Sequence, residues 1–129
     1  MFLEEYEAKR MVANFDVAVP HGRIVSSAAE AGAAAAAIGR SVMIKAQIPA
    51  GKRGKGGGIL MAETAAAAQD AAAQILGSEL NGYKVSQWLV EQRANIQQEI
   101  YAAVTHDSAA QAPLVIFSTA GGMDIEEVH

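Results

Sequence analysis

The chain has 129 residues, a formal net charge of −4, a pI near 5.3, 51% apolar residues and no cysteine. That length suits one domain with a real core, and the acidic balance argues against a general nucleic-acid binder, whose affinity rests on many cations neutralising phosphates. Disulfides, zinc ribbons and thiol catalysis are excluded, and neither a signal peptide nor an apolar run near the ~18 residues of a spanning helix is present, so a cytoplasmic protein without membrane contact is expected.

Leu3 to Phe15 has the pattern of a short amphipathic helix, with Leu3, Tyr6, Met11, Val12 and Phe15 apolar and Glu4, Glu5, Lys9 and Arg10 polar. Val17 to Pro20 is extended and Gly22 to Ser26 reads as a first short strand. Ser27 with Glu30 three residues on makes a capping box, which opens an alanine-rich helix ended by Gly39. Ser41 to Ile48 has strand composition, and Gly58 to Ala62 is its partner across a glycine-rich loop. A second alanine-rich helix runs from about Thr64 to Leu76 and stops at Gly77; alanine favours helix, and its small side chain suits close packing on a sheet. After a turn at Asn81-Gly82, Tyr83 to Glu91 reads as one further strand containing Val85, Trp88 and Val90. The order so far is β-α-β-β-α-β. Gln92 to Gln97 is a polar connector, and Gln98 to His106 and Pro113 to Thr119 form a strand pair around the turn Asp107 to Ala112. Gly121-Gly122 leads into the start of a helix at Met123.

Chemistry gathers in Ser41 to Gly58, SVMIKAQIPAGKRGKGGG. Lys45 lies inside an apolar strand, where an ammonium costs free energy unless it reaches water or an anion. The loop after it, Pro49 to Gly58, holds five glycines and the cations Lys52, Arg53 and Lys55. No acid occurs between Glu30 and Glu63, while Arg40, Lys45, Lys52, Arg53 and Lys55 are five of the ten basic residues. Glycines let backbone N–H groups approach an oxyanion and the cations add charge, so the stretch reads as a phosphate-binding device. It is not a Walker A loop, because Gly56 and Gly57 stand where that motif needs lysine and a hydroxyl residue. Nor is it a dinucleotide GxGxxG, because Ile59 or Met61 falls at the last glycine.

The plainer alternatives are a basic hairpin loop, a Lys45 that snorkels from a strand edge, and ordinary solvent-facing carboxylates at Glu91 and Glu99. Trp88 is a core candidate. His21, His106 and His129 have no metal-ligand spacing, and no serine has a partner base, so neither a zinc site nor a triad is supported.

Four segments carry a resemblance. LEEYEAKRMVANFDVAVPHG, MIKAQIPAGKRGKGG, WLVEQRANIQQEIYAAV and FSTAGGMDIEEV resemble, in order and spacing, the β subunits of nucleoside-diphosphate-forming acyl-CoA ligases, the family of succinyl-CoA synthetase, malate-CoA ligase and citryl-CoA synthetase. The resemblance implies an α+β fold, an ATP-grasp N-terminal lobe with the first strands of a second, incomplete lobe. It divides the chain into 1–20, a helix and lead-in strand packing on the second lobe; 21–95, the small nucleotide-binding lobe; and 96–129, the start of the second lobe. It implies that Lys45 contacts nucleotide phosphate and that the Lys52-Arg53-Gly54 turn closes its backbone over the phosphates. Glu91 then ends the strand leading to the adenine hinge, Ala94 makes a minor hinge contact, and Glu99 lies on the ribose side.

The chain departs from the family's pattern at Lys52, where glycine is common, and at Ala120, where glutamate is common. The resemblance further implies ATP or GTP as nucleotide, magnesium held by residues outside this chain, and a CoA-binding α-type subunit or domain that carries a phosphohistidine. The family reaction makes a CoA thioester of a dicarboxylic or related acid through an acyl phosphate. The chain is therefore expected to be an amino-terminal portion of such a ligase, inactive alone, because phosphoryl transfer depends on positioning and metal-assisted charge neutralisation. Two alternatives are a stand-alone nucleotide-binding or regulatory module without turnover, and a structural piece whose basic loop meets an acidic partner. Open strand edges with apolar Ile100, Leu114, Ile116 and Phe117 also predict a homo-oligomer.

Overall fold

A computed structural model describes residues 3–51 and 53–122, and the chain forms two units, residues 1–94 and 95–129. In the first unit the elements run α1 (Glu5–Ala13), β1 (Gly22–Val25), α2 (Ala28–Ile38), β2 (Val42–Ala46), β3 (Ile59–Ala62), α3 (Ala65–Ile75), β4 (Glu79–Leu80), β5 (Tyr83–Lys84) and β6 (Trp88–Gln92). Strands β1, β6, β2 and β3 make one antiparallel sheet in that order.

Local chemistry sets the helix ends. Ser27 Oγ accepts from Glu30 N–H at 3.3 Å, and the Glu30 carboxylate accepts from the Ser26 and Ser27 N–H groups, so orphan donors at the start of α2 are satisfied reciprocally. Gly39 closes α2 at φ 68°, a left-handed conformation that glycine adopts without strain. Thr64 Oγ1 likewise accepts from Ala67 N–H to start α3. The two alanine-rich helices pack against each other and cover one sheet face. A Cβ on Gly32 would come within 3.2 Å of the Ala65 carbonyl, so α2 and α3 approach closely there.

Strand alternation then assigns the two faces. Val42, Ile44 and Ala46 are buried on the helix-covered face with Val25, Trp88 and Val90, and each larger side chain contributes about 1.5–3 kcal/mol of burial. Trp88 is core, as its composition suggested, and its indole N–H is buried without a hydrogen-bond partner. Met43 and Lys45 point to the opposite face, where the register sets them beside Glu91 and Leu89 of β6.

Two expectations are corrected. Tyr83 to Glu91 is not one strand: residues 83–84 pair with 79–80 around Asn81 and Gly82, both at positive φ, and residues 88–92 pair with β1 and β2. The chain changes partner at Val85, whose N–H donates to Ser78 and whose carbonyl accepts from Gly77. Helix α1 does not bury an apolar face. None of its residues is buried, Met11 is 54% exposed, Phe15 just past its end is 79% exposed, and its acidic edge turns to the sheet instead.

The second unit is the hairpin β7 (Tyr101–Asp107) and β8 (Ala112–Ser118), closed by Asp107 Oδ1 accepting from Ala109 and Ala110 N–H. The helix expected from Met123 lies outside the described residues. Among the described residues no helix is long and apolar enough to cross a membrane.

Candidate anion site at the head of strand β2

Lys45 reaches the open face of the sheet with 18% of its side chain exposed and meets two carboxylates, Glu5 Oε1 at 2.9 Å and Glu91 Oε1 at 2.5 Å. Lys9, one turn after Glu5 on α1, donates to Glu5 Oε1 at 2.8 Å and to Glu91 Oε2. Arg53 comes from the glycine loop: its Nη2 donates to Glu5 Oε2 at 2.7 Å and its Nη1 to the Ala46 carbonyl at 2.8 Å. Both oxygens of Glu5 are therefore held by cations, and the three cations Lys9, Lys45 and Arg53 outnumber the two carboxylates.

The surrounding backbone holds this arrangement. Gly58 N–H donates to the Arg53 carbonyl at 2.8 Å and Ala46 N–H to the Gly58 carbonyl at 2.7 Å, which closes the loop base onto β2. A Cβ on Gly58 would lie 2.8 Å from Leu80 Cδ1 and 3.2 Å from the Arg53 carbonyl, so the loop base approaches closely there. Asn81 Nδ2 donates to the Gly51 carbonyl and steadies the other limb. The first turn of α1 is docked by buried Gln47, whose Oε1 accepts from Tyr6 N–H, and by Gln87, which donates to Glu4 Oε2 at 2.6 Å.

Burial pushes the Glu5 carboxyl up, but hydrogen bonds and charges from Lys9 and Lys45 outweigh it and hold the pKa down to about 2. Burial likewise disfavours the Lys45 ammonium, and the Glu91 and Glu5 carboxylates more than offset it, raising Lys45 above the ordinary lysine value. At neutral pH the cluster is fully ionised at these two residues.

Of the residues singled out in the sequence, Lys45, Arg53 and Glu91 meet in one cluster. Gly54 lies in the turn, its carbonyl accepting from Gly57 N–H. Ala94 is exposed two residues past β6. Glu99 belongs to the second unit, where Gly121 and Gly122 pack against it so tightly that a Cβ on Gly122 would sit 2.7 Å from Glu99 Oε2. Lys52 lies outside the described residues.

Helix α1 docks on β2, the glycine loop and β6. Sequence reasoning missed Glu5, Lys9, Gln47 and Gln87. The available signal was complementary charge: Glu4, Glu5 and Glu7 in one helical turn, against a stretch of five cations with no acid. Among the described residues no three His, Cys, Asp or Glu side chains gather to hold a metal ion.

Residues 2–129 match the ATP-grasp domain. The chain is similar to the succinate–CoA ligase (ADP-forming) subunit beta of Natronomonas pharaonis, 45% identical over 128 residues that make up 99% of this chain and 34% of that protein. It is similar also to those of Halobacterium salinarum, at 43% over 128 residues (99% and 34%), and Solibacter usitatus, at 42% over 135 (99% and 35%). The chain thus spans about a third of the length of the curated relatives it matches.

Proposed function

Because the chain belongs to the ATP-grasp domain family, we propose that Lys45 and the glycine loop form the phosphate-contacting part of a nucleotide site. The observation that carries this is the convergence of Lys45, Arg53 and Lys9 on the two oxygens of one carboxylate, a constellation equally suited to phosphate oxygens. Lys45 and Arg53 neutralise the phosphates, and the Lys52-Arg53-Gly54 backbone closes over them. Glu91 terminates the strand that leads to the adenine hinge at Ala94, and Glu99 takes the ribose. The Glu91 carboxylate is committed to Lys45 and Lys9, so its part in base recognition is to fix the strand end.

The relatives are ADP-forming ligases, which favours ATP over GTP. By the same kinship the whole enzyme joins a carboxylic acid to CoA through an acyl phosphate, with the phosphohistidine on a CoA-binding α-type partner. Magnesium, which neutralises phosphate charge in such reactions, takes its ligands outside the described residues, and the chain alone is inactive. Calorimetric titration with ATP tests the assignment. Lys45→Ala weakens binding at least tenfold, equivalent to about 1.4 kcal/mol. Unchanged affinity in that variant sinks it.

A further inference from the structure

Glu5 and Glu91 both pair with Lys45, yet they are held very differently. Glu91 is 3% exposed, sits in the central strand β6 and is backed by Gly22 across the sheet. Glu5 sits on α1, a helix with no buried residue. One partner is fixed in a central strand of the sheet and the other is carried on a surface helix.

Detaching Glu5 would leave the site standing. Lys45 and Lys9 would each keep Glu91, and Arg53 would keep the Ala46 carbonyl. What would be lost is one negative charge bound by three cations, leaving three cations against the single carboxylate of Glu91. That surplus suits an incoming phosphate dianion. A phosphate arriving with Glu5 in place would instead meet a carboxylate already occupying the same donors, and like charges at such range oppose each other.

Building on the nucleotide reading above, we propose that the Glu5 carboxylate is a resident counter-anion of the phosphate site and that a nucleotide loads by displacing it from Lys45 and Arg53. The phosphate oxygens take over the donor atoms that Glu5 uses, and the Glu5 side chain turns out to water while Glu91 continues to orient Lys45. Glu5 is thus an affinity-setting residue: it keeps the lysine and arginine ordered and neutralised before loading, and subtracts from nucleotide affinity. The lowered pKa of Glu5 accords with an anion tightly held in the free site.

The test uses the full chain, with ATP as the probe. Glu5→Gln preserves size and removes the charge, and ATP then binds about tenfold more tightly than to the parent chain. A second measurement needs no variant. In chain labelled with carbon-13 at glutamate and lysine, the Glu5 carboxyl resonance moves toward that of a solvent-exposed glutamate as ATP saturates the site. Weaker or equal binding by Glu5→Gln, or a Glu5 resonance that stays put while those of Lys45 shift, overturns the displacement. Neither result touches the phosphate assignment, which falls only if Lys45→Ala binds ATP normally.

Discussion

Gly22 and Glu91 face each other across β1 and β6 so closely that a Cβ on residue 22 would lie 2.6 Å from the Glu91 Cβ. The absent side chain makes room for the buried glutamate that holds Lys45 and Lys9. Gly22 therefore acts on the anion site through packing, without touching a ligand.

Gly22→Ala tests this directly. The added methyl must push Glu91 or the Val90 backbone aside, an overpacking that costs about 1–3 kcal/mol. Urea unfolding of the variant shows a lower midpoint with an unchanged slope, and an unaltered midpoint rules out the steric role.

Stability depends on pH through the same cluster. Glu5 has a folded pKa of about 2 against an ordinary 4.5, so its contribution is present above the ordinary value and is lost as pH falls through that interval. The groups that face it are Lys9 on its own helix, Lys45 on β2 and Arg53 on the loop, with Glu91 beyond the lysines. Allowing for the partial exposure of Glu5, the contribution is on the order of 2 kcal/mol. Glu30, also lowered by its cap hydrogen bonds from Ser26 and Ser27, acts with the same sign. Lys45, being raised, stabilises at all lower pH and loses its share only above the ordinary lysine range. The stability difference between the parent chain and Glu5→Gln, followed by denaturant midpoints, shrinks as pH drops below 4.5; a constant difference contradicts the assignment.

The β7–β8 hairpin supports a prediction of association. Register places Val104, Val115 and Phe117 on one face and Leu114 and Ile116 on the other, and all are exposed. A two-stranded ribbon with apolar side chains uncovered on both faces invites pairing with another copy. Sedimentation velocity shows mass rising with concentration across the micromolar range. A clean monomer throughout, or association unchanged when Val115 and Phe117 are replaced by Thr and Lys, refutes it.

Much of the first unit was legible because its signals are local. Ser27 with Glu30, Thr64, Gly39 and Gly77 punctuate the alanine-rich helices regardless of what those helices meet. The apolar alternation of Val42, Ile44 and Ala46 around Lys45 was equally visible, as was the glycine loop. The Tyr83 to Glu91 error arose where composition stays strand-like while the pairing partner changes, and composition carries no record of the partner.

By itself the sequence determined a β-α-β-β-α-β lobe and a lysine that needs an anion, since capping, helix propensity and the desolvation cost of an ammonium act within a few residues. Only the tertiary structure decided which anion answers it. Glu5 and Glu91 lie 40 and 46 residues from Lys45 along the chain, and docking α1 by its acidic edge brings their carboxylates to one ammonium. The helix takes that orientation because Lys45, Arg53 and Gln47 offer its first turn charge and hydrogen bonds that a purely apolar contact would not satisfy.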